Sequence, residues 1–233
     1  MEYKKIVEGI FIKRPNRFIA EVLINEKEEI VHVKNTGRCK ELLLPGAKIL
    51  LEDCSHNPSR KTKYSLISVW KGNMLVNMDS QVPNAVVYQA LKDNSINEIN
   101  NLAKIKREVS FGNSRFDIYF ESENQKGFIE VKGVTLEEQG ISMFPDAPTE
   151  RGTKHVLEMI EAVNRGYRGI IFFLIQMKGP NIFKLNWQMD SKFSEAVKLA
   201  SENGVEILAY DSIVQDNRIE IGKPIELDLV TRF

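Results

Sequence analysis

Apolar and polar residues alternate in short runs over the first eighty positions of the chain. The run EEIVHVKN, residues 28–35, has the period of two that is typical of a half-buried strand. Turn dipeptides separate such runs, and Gly72-Asn73 is typical of a β-hairpin. The pattern predicts about five short strands, with a possible helix only over Gly37–Leu44. Five such strands suit a small closed barrel of the oligonucleotide-binding (OB) type, and other small barrels fit equally well.

The pattern changes after residue 83, where helical and strand-like segments begin to alternate. We expect a broken helix first, with Asn84 and Ser95 as its possible caps. A polar, proline-rich loop then leads to Thr149, the expected cap of a helix that ends near Arg165. The strand-like runs are IKREVSFG (105–112), RFDIYFE (115–121), GFIEVKGV (127–134), GIIFFLIQM (169–177) and VEILAYD (205–211).

A further helix over Asp190–Asn203 completes the order α-β-β-β-α-β-α-β. This order is typical of a mixed sheet with helices on its faces. GIIFFLIQM is apolar throughout, so we expect a central strand that is buried on both faces. The sequence therefore predicts two domains, a small OB-like β-barrel over 1–82 and an α/β domain with a mixed central sheet over 83–233.

Composition and charge narrow the class of protein. The 233 residues include 32 Lys plus Arg and 32 Asp plus Glu, so the formal net charge is zero. Hydrophobic residues make up 42 % and charged residues 27 % of the chain, which is ordinary for a globular protein and argues against a disordered, collagen-like or coiled-coil chain. A net charge of zero gives no overall attraction to a polyanion. The charge is uneven, however, because 14 of the basic and 10 of the acidic residues fall within 1–83.

The apolar runs and the cysteines predict a cytoplasmic protein with no membrane partner. The longest apolar run, Gly169–Met177, is far shorter than the roughly 20 residues of a membrane-spanning helix. The start of the chain lacks the apolar region of a signal peptide. Cys39 and Cys54 have no zinc-site spacing, and we expect both to be reduced. The sequence makes no prediction of oligomeric state.

Three charged residues on neighbouring strands carry the strongest chemical signal. Glu130 and Lys132 are two apart on one strand, so their side chains share a face, and Asp117 can approach them if the strands form a hairpin. Paired carboxylates suit Mg²⁺ or Mn²⁺, with Asp117 and Glu130 as ligands. Such a cation lowers the pKa of a water molecule that it binds, and Lys132 can stabilise developing charge. The alternative is a solvated face with ordinary cross-strand ion pairs.

Several segments carry a family resemblance. The D…E-x-K hairpin in this element order resembles the PD-(D/E)xK nuclease superfamily. More closely, the chain resembles the sugar fermentation stimulation protein (SfsA) family. The segments that carry the second resemblance are HVKNTGRCKELLLPGA (32–47), RKTKYSL (60–66), VPNAVVYQAL (82–91), SRFDIYF (114–120), FIEVKGVTL (128–136) and FPDAPTERGTKH (144–155).

The family resemblance implies an N-terminal OB-like domain and a C-terminal nuclease-like domain. It also implies nonspecific DNA binding and an association with the regulation of sugar (maltose) metabolism. Asp117, Glu130 and Lys132 fall on the acidic and E-x-K positions of the motif. The acidic residue that many such nucleases carry on the first helix has no obvious counterpart, and the possible substitutes are Asp93, Glu98 and Glu108.

Donor-rich turns and basic clusters are candidate nucleic-acid contacts. Backbone N–H groups and cationic side chains in such turns can hold phosphate oxygens. The alternatives are a structural turn in which Gly37 supplies a positive φ, and an ordinary solvated basic surface. Asp146 and Glu150 are weaker candidates for the metal. The residues that we predict to contact nucleic acid are Arg14, Arg17, Asn35, Thr36, Gly37, Arg38, Lys61, Arg151 and His155.

Two functions of different classes follow from these features. One is a DNA-binding protein with a regulatory role, whose nuclease-like domain is structural or inactive. The other is a Mg²⁺- or Mn²⁺-dependent nuclease that uses Asp117, Glu130 and Lys132. A small-molecule enzyme of sugar or nucleotide chemistry is disfavoured, because the sequence contains neither GxGxxG nor GxxxxGK[ST].

Overall fold

A computed structural model describes residues 1–35 and 37–231 of the chain. The N-terminal part contains only strands as regular elements among these residues. They are β1 (Ile6–Asn16), β2 (Ile19–Ile24), β3 (Lys27–Val33), β4 (Lys48–Asp53), β5 (Tyr64–Lys71) and β6 (Met74–Asn77).

Strands β1 to β5 close into the OB barrel that the alternating pattern favours. They follow the order β3-β2-β1-β4-β5, and a parallel pairing between β3 and β5 closes the ring at His32–Ser65 and Val33–Leu66. β6 extends the sheet through the Gly72-Asn73 hairpin, where Gly72 has the positive φ that the turn requires. Because alternate side chains point inward, the barrel is filled by fully buried aliphatic residues.

The predicted helix over Gly37–Leu44 is wrong. The segment forms turns in which the carbonyl of Cys39 accepts from the N–H groups of Leu42 and Leu43. Cys39 has a left-handed φ of 45°, and Pro45 directly follows Leu44, the last residue of the segment. A regular helix therefore cannot propagate here.

The C-terminal part is an α/β domain. Its elements are α1 (Val82–Lys92), β7 (Leu102–Phe111), β8 (Ser114–Ser122), β9 (Lys126–Val134), β10 (Leu136–Glu138), β11 (Ile141–Phe144), α2 (Glu150–Asn164), β12 (Arg168–Ile175), β13 (Ile182–Leu185), α3 (Ser191–Glu202), β14 (Glu206–Gln215), β15 (Arg218–Pro224) and β16 (Glu226–Asp228).

The central sheet is mixed, as the element order predicts. Its strand order is β15-β14-β12-β9-β8-β7, with β9, β12 and β14 parallel and the outer pairs antiparallel. The apolar strand β12 lies in the middle, and its residues from Ile170 to Ile175 have no exposed surface. A smaller sheet, β10-β11-β13-β16, forms beside it in segments that the sequence pattern leaves as loops.

Side-chain caps set the two later helices where the sequence predicts them. Oγ1 of Thr149 accepts from the N–H of Gly152 at 3.1 Å and begins α2. Oδ1 of Asp190 accepts from the N–H of Phe193 at 3.0 Å and begins α3. The expected helix after Ser95 does not form, because left-handed residues at Asn94 and Asn101 bound a stretch of turns.

Buried polar contacts join the barrel to the α/β domain. Nε2 of Gln176 donates to the carbonyl of Asn77 at 3.1 Å and to that of Asp79 at 3.2 Å. The chain before β1 also reaches across, since Glu2 pairs with Arg218 on β15. These contacts link the two parts directly. The domain limits of 1–82 and 83–233 remain a prediction.

Within the residues that the structure describes, no helix has the length and apolar character that crossing a bilayer requires.

Candidate metal centre and nucleic-acid interface

Asp117 and Glu130 come together where strands β8 and β9 separate. Ile118 pairs with Ile129, and continuing this register places Asp117 opposite Glu130. At this point a side chain replaces the backbone ladder, because Oδ2 of Asp117 accepts from the N–H of Val131 at 2.8 Å. The hairpin that the sequence predicts is therefore present, and its last pairing is made by the carboxylate itself.

The first helix contributes an amide to the site. Nδ2 of Asn84 donates to Oδ1 of Asp117 at 2.6 Å. The expected role of Asn84 as a helix cap is wrong, since Gln81 is the N-cap and Asn84 lies within α1. Asn84 is thus a site residue that the sequence pattern identifies only as a helix cap.

The acidic residues considered for the first-helix position are occupied elsewhere. Oε2 of Glu98 accepts from the hydroxyl of Tyr210 at 2.6 Å. Glu108 lies 3.6 Å from Arg115 on the exposed side of β7 and β8. Asp93 accepts from Gln89 at the end of α1.

Glu130 is held by two donors on one oxygen. Nζ of Lys132 lies 2.7 Å from Oε1, and Nδ1 of His155 lies 2.6 Å from the same atom. Because an ionised carboxylate only accepts, Nδ1 of His155 must carry the proton of that bond. The other oxygen, Oε2, is buried and receives no hydrogen bond from residues 1–35 or 37–231.

Burial and neighbouring charges move the two carboxyl pKa values in opposite directions. Burial raises the pKa of Asp117, and the negative charge of Glu130 raises it further. Burial also acts to raise the pKa of Glu130, but the hydrogen bond from His155 and the charge of Lys132 outweigh it and lower the pKa. Glu130 is therefore ionised at neutral pH, although it is only 3 % exposed.

The unpaired oxygen of Glu130 fits a divalent cation. A buried anionic oxygen without a donor is costly, and a hard cation satisfies it. In the described part of the chain, no group of three or more His, Cys, Asp and Glu side chains is placed so that it could hold a metal ion by itself. Asp117 and Glu130 would therefore hold such an ion with oxygens from water or a phosphate, as Mg²⁺ commonly requires.

Arg151 and His155 lie one turn apart on α2, on the face that the spacing predicts. His155 is buried against Glu130, whereas Arg151 is exposed. Their contact is weak, with 3.5 Å between Nε of Arg151 and Nε2 of His155. Arg151 thus presents an exposed cation next to His155, the residue that contacts Glu130.

Arg14 organises the turn that follows β3. Its guanidinium donates to the carbonyls of Gly37 at 2.8 Å, Arg38 at 3.0 Å and Arg17 at 2.8 Å, and also to that of Asn35. Oδ1 of Asn35 accepts from the N–H of Gly37 at 2.7 Å. Thr36 lies outside the described residues. Arg14 therefore shapes the turn with the donors that a phosphate would otherwise use.

Gly37 lies close to the loop before α2. A Cβ at this position would meet Oδ2 of Asp146 in that loop, so a side chain here would force Asp146 to move. The turn of the barrel consequently packs against the loop that begins α2.

This packing leaves a cavity of about 710 Å³ whose rim is basic. The exposed cations Arg17, Arg38 and Lys40 line it together with Thr149, the cap of α2. We call it the basic cavity. The sequence pattern does not single out Lys40, which lies between Cys39 and Glu41. Lys61 does not line this cavity, and it lies in the exposed segment before β5.

Phe18 projects from the β1–β2 turn beside the basic cavity. It is 54 % exposed, and the guanidinium carbon of Arg17 lies 6.0 Å from the centre of its ring. Phe11, by contrast, is a core residue. An exposed ring next to cations is a suitable platform for stacking a base.

The fold and site define a class of two-domain protein, with an OB barrel followed by an α/β domain that carries an acidic residue and E-x-K on adjacent strands. A family model described as the SfsA N-terminal OB domain matches residues 12–78. A second, described as the sugar fermentation stimulation protein RE domain, matches residues 81–218. The chain belongs to the sugar fermentation stimulation protein family.

Individual relatives agree with this assignment along the whole chain. A sugar fermentation stimulation protein homolog of Alkaliphilus oremlandii is 68 % identical over 232 residues, covering 98 % of this chain and 99 % of that protein. The homolog of Clostridium botulinum strain Loch Maree is 52 % identical over 227 residues, covering 97 % and 98 %. The structure of Pyrococcus furiosus SfsA in complex with Ca²⁺ matches with a TM-score of 0.89 and 29 % identity, covering 98 % of each chain.

Proposed function

We propose that this protein binds DNA without sequence specificity, through the phosphates of a strand that lies in the basic cavity. The observation that carries the proposal is the set of exposed cations, Arg17, Arg38 and Lys40, gathered around one cavity in a chain of zero net charge. Contacts from such side chains to phosphates supply affinity without reading base sequence. Regulation of sugar (maltose) metabolism, if exerted through DNA, would act by this binding.

The position of α2 supports a path from the basic cavity to the carboxylate pair. Thr149 lines the cavity, and His155 contacts Glu130 six residues further along the same helix. Six residues correspond to about 9 Å of helix axis. A strand held in the cavity would thus pass Arg151 on its way to Asp117 and Glu130.

Salt dependence tests the DNA-binding proposal. We expect a labelled duplex to bind more weakly as salt rises, and the double variant Arg38→Ala, Lys40→Ala to lower the slope of log K against log salt by about 2. The matched control, Lys192→Ala with Lys198→Ala, removes two exposed cations from α3 and should leave the slope unchanged. Binding that is absent at low ionic strength would refute the proposal.

A second candidate function is hydrolysis of phosphodiester bonds with Mg²⁺ or Mn²⁺. The unpaired Oε2 of Glu130 favours it, and the Ca²⁺ in the Pyrococcus furiosus relative supports a divalent cation in this family. A divalent cation held by Asp117 and Glu130 would polarise the phosphate and lower the pKa of a water molecule. Lys132, at 2.7 Å from Glu130, is placed to stabilise developing negative charge.

Activity assays test this second function separately from binding. Single- and double-stranded DNA and RNA would be incubated with each metal and with wild type, Glu130→Gln or Lys132→Ala. We expect cleavage by wild type and none by Glu130→Gln or Lys132→Ala. A control variant on the exposed face of α3, Glu195→Gln, should be as active as wild type. Equal cleavage by wild type and Glu130→Gln would count against the function, as would no cleavage by either.

A further inference from the structure

A second cavity adjoins the basic cavity and differs from it in character. It has a volume of about 750 Å³ and lies between the 38–41 turn, the β10–β11 hairpin and the 185–189 segment. Arg38, Lys40 and Asp146 line both cavities. We call the second one the apolar cavity. Its volume is within the range of about 300–1,000 Å³ that is typical of small-molecule sites.

The lining of the apolar cavity suits a flat aromatic group. Its apolar side chains are two methionines, a tryptophan and branched aliphatics, namely Leu136, Ile141, Met143, Leu185, Trp187 and Met189. Methionine side chains adapt their shape and make favourable contacts with aromatic rings, and tryptophan offers a broad stacking surface. These side chains come from both sides of the cavity, from the β10–β11 hairpin and the 185–189 segment.

One acceptor in this cavity lacks a donor. Oε1 of Glu41 is buried and accepts no hydrogen bond within the described part of the chain. Burial raises the pKa of the Glu41 carboxyl, and the neighbouring Asp146 and Glu138 raise it further. A ligand with an N–H donor would satisfy this oxygen and recover the cost of its burial.

The charge distribution restricts the ligand further. The exposed cations Arg38 and Lys40 line both cavities, whereas Oε1 of Glu41 is buried in the lining of the apolar cavity. The complementary ligand has an anionic chain outside and a flat group with an N–H donor inside. A nucleotide within a strand has this arrangement, with phosphates next to a base.

We propose that the apolar cavity binds an unpaired nucleobase whose Watson–Crick edge carries an N–H donor, extruded from a strand whose phosphates lie in the basic cavity. The base must be unpaired because pairing would engage that donor. Cytosine, adenine and guanine carry an exocyclic amino group. Thymine carries its N–H at N3, so methylation of N3 leaves thymine without a donor. This inference rests on the proposed DNA binding and adds a requirement for a donor on the base.

The test compares labelled single strands of equal length, made of deoxycytidine, N3-methylthymidine or abasic deoxyribose phosphate, by fluorescence anisotropy at one salt concentration. We expect wild type to bind the deoxycytidine strand about tenfold more tightly than the N3-methylthymidine strand, the equivalent of one hydrogen bond. The abasic strand should bind most weakly. In Glu41→Gln the preference should fall toward one, because an amide both donates and accepts, while Glu195→Gln should retain it.

The outcomes separate the two proposals. Equal affinity for the deoxycytidine and N3-methylthymidine strands, or a preference that Glu41→Gln leaves intact, overturns the base site but not DNA binding. No binding to any strand overturns both. A measurement in Trp70→Phe, which leaves Trp187 as the remaining tryptophan of the two, is independent of Glu41. Deoxycytidine monophosphate should quench its emission saturably, and deoxyribose phosphate should not; unchanged emission overturns the assignment.

Discussion

Nδ1 of His155 lies 2.6 Å from Oε1 of Glu130 and ties helix α2 to the central strand β9. The contact joins two buried residues that are 25 positions apart in sequence. It sets which oxygen of Glu130 remains available, since Lys132 bonds the same atom. His155 is thus a positioning residue for the carboxylate, as outer partners of metal ligands commonly are.

Removing this bond should move the pH dependence of metal binding. The hydrogen bond from His155 lowers the pKa of Glu130, so in His155→Ala that pKa should rise. Mn²⁺ binding, which needs the ionised carboxylate, should then reach half its maximum at a higher pH in the variant than in wild type. Titration followed by electron paramagnetic resonance measures this shift. His56→Ala, which removes an exposed histidine, should show none.

A change at Asn84 should alter the response to metal. Asn84→Asp places a third carboxylate beside Asp117, which replaces a 2.6 Å hydrogen bond with repulsion. We expect a lower melting temperature than wild type without metal and a larger rise on adding Mn²⁺. Asn84→Ala loses the bond without adding charge, so it should be destabilised by about 1 kcal/mol and gain no extra response. A rise in Asn84→Asp no larger than in wild type would contradict the expectation.

The sequence predicts the charged core of the site because its spacing is local. Glu130 and Lys132 share a face through the strand period of two, and the hydrogen bond between them confirms this. Thr149 and Asp190 begin their helices as their types predict. The mixed sheet follows from the alternation of segments, which is also a local signal.

Contacts distant in sequence are not visible in such patterns. Asn84 reads as a cap until the structure shows it bonded to Asp117, 33 residues away. Arg14, a predicted nucleic-acid contact, also donates to backbone carbonyls of the turn after β3, which the sequence pattern does not show. The strands of the small sheet are only three or four residues long, too short for a periodic signal.

The junction between barrel and α/β domain should contribute measurably to stability. Gln176 is 1 % exposed, and its Nε2 donates to Asn77 and Asp79 across that junction. In Gln176→Ala these acceptors lose their donor, so the free energy of unfolding in urea should fall by about 1–3 kcal/mol. Gln125→Ala, at an exposed turn, should stay within about 0.5 kcal/mol of wild type. An equal loss in both variants would show that the junction is not the cause.

A second junction contact should make stability depend on pH. Burial acts to raise the pKa of Glu137, but hydrogen bonds from Lys71 at 2.6 Å and from the N–H of Gly140 lower it. A folded-state pKa below the unfolded value adds stability above the unfolded pKa, and that stability is lost as pH falls through the folded pKa. The difference in free energy of unfolding between wild type and Glu137→Gln should therefore shrink from about pH 7 to about pH 3. Glu138→Gln, its exposed neighbour, serves as the control.

The two cysteines should be unreactive in the folded protein. Both are free and buried, and burial raises the pKa of Cys39 to about 12 and also raises that of Cys54. A disulfide-forming thiol reagent at about pH 8 should label neither in buffer and both in urea, because the thiolate is the reactive form. Rapid labelling of either thiol in buffer would contradict the burial.

Gly133, directly after Lys132, meets the junction from the other side. A Cβ there would collide with Oε1 of Gln176 and with the ring of Pro83, at the start of α1. The strand that carries the E-x-K motif thus has no room for a side chain beside Gln176, the residue that reaches the barrel. Positions 133 and 176 should therefore covary among homologous proteins, with a larger residue at one tolerated only beside a smaller residue at the other. The barrel contact of Gln176 and the strand of the candidate metal centre are thus constrained together at Gly133.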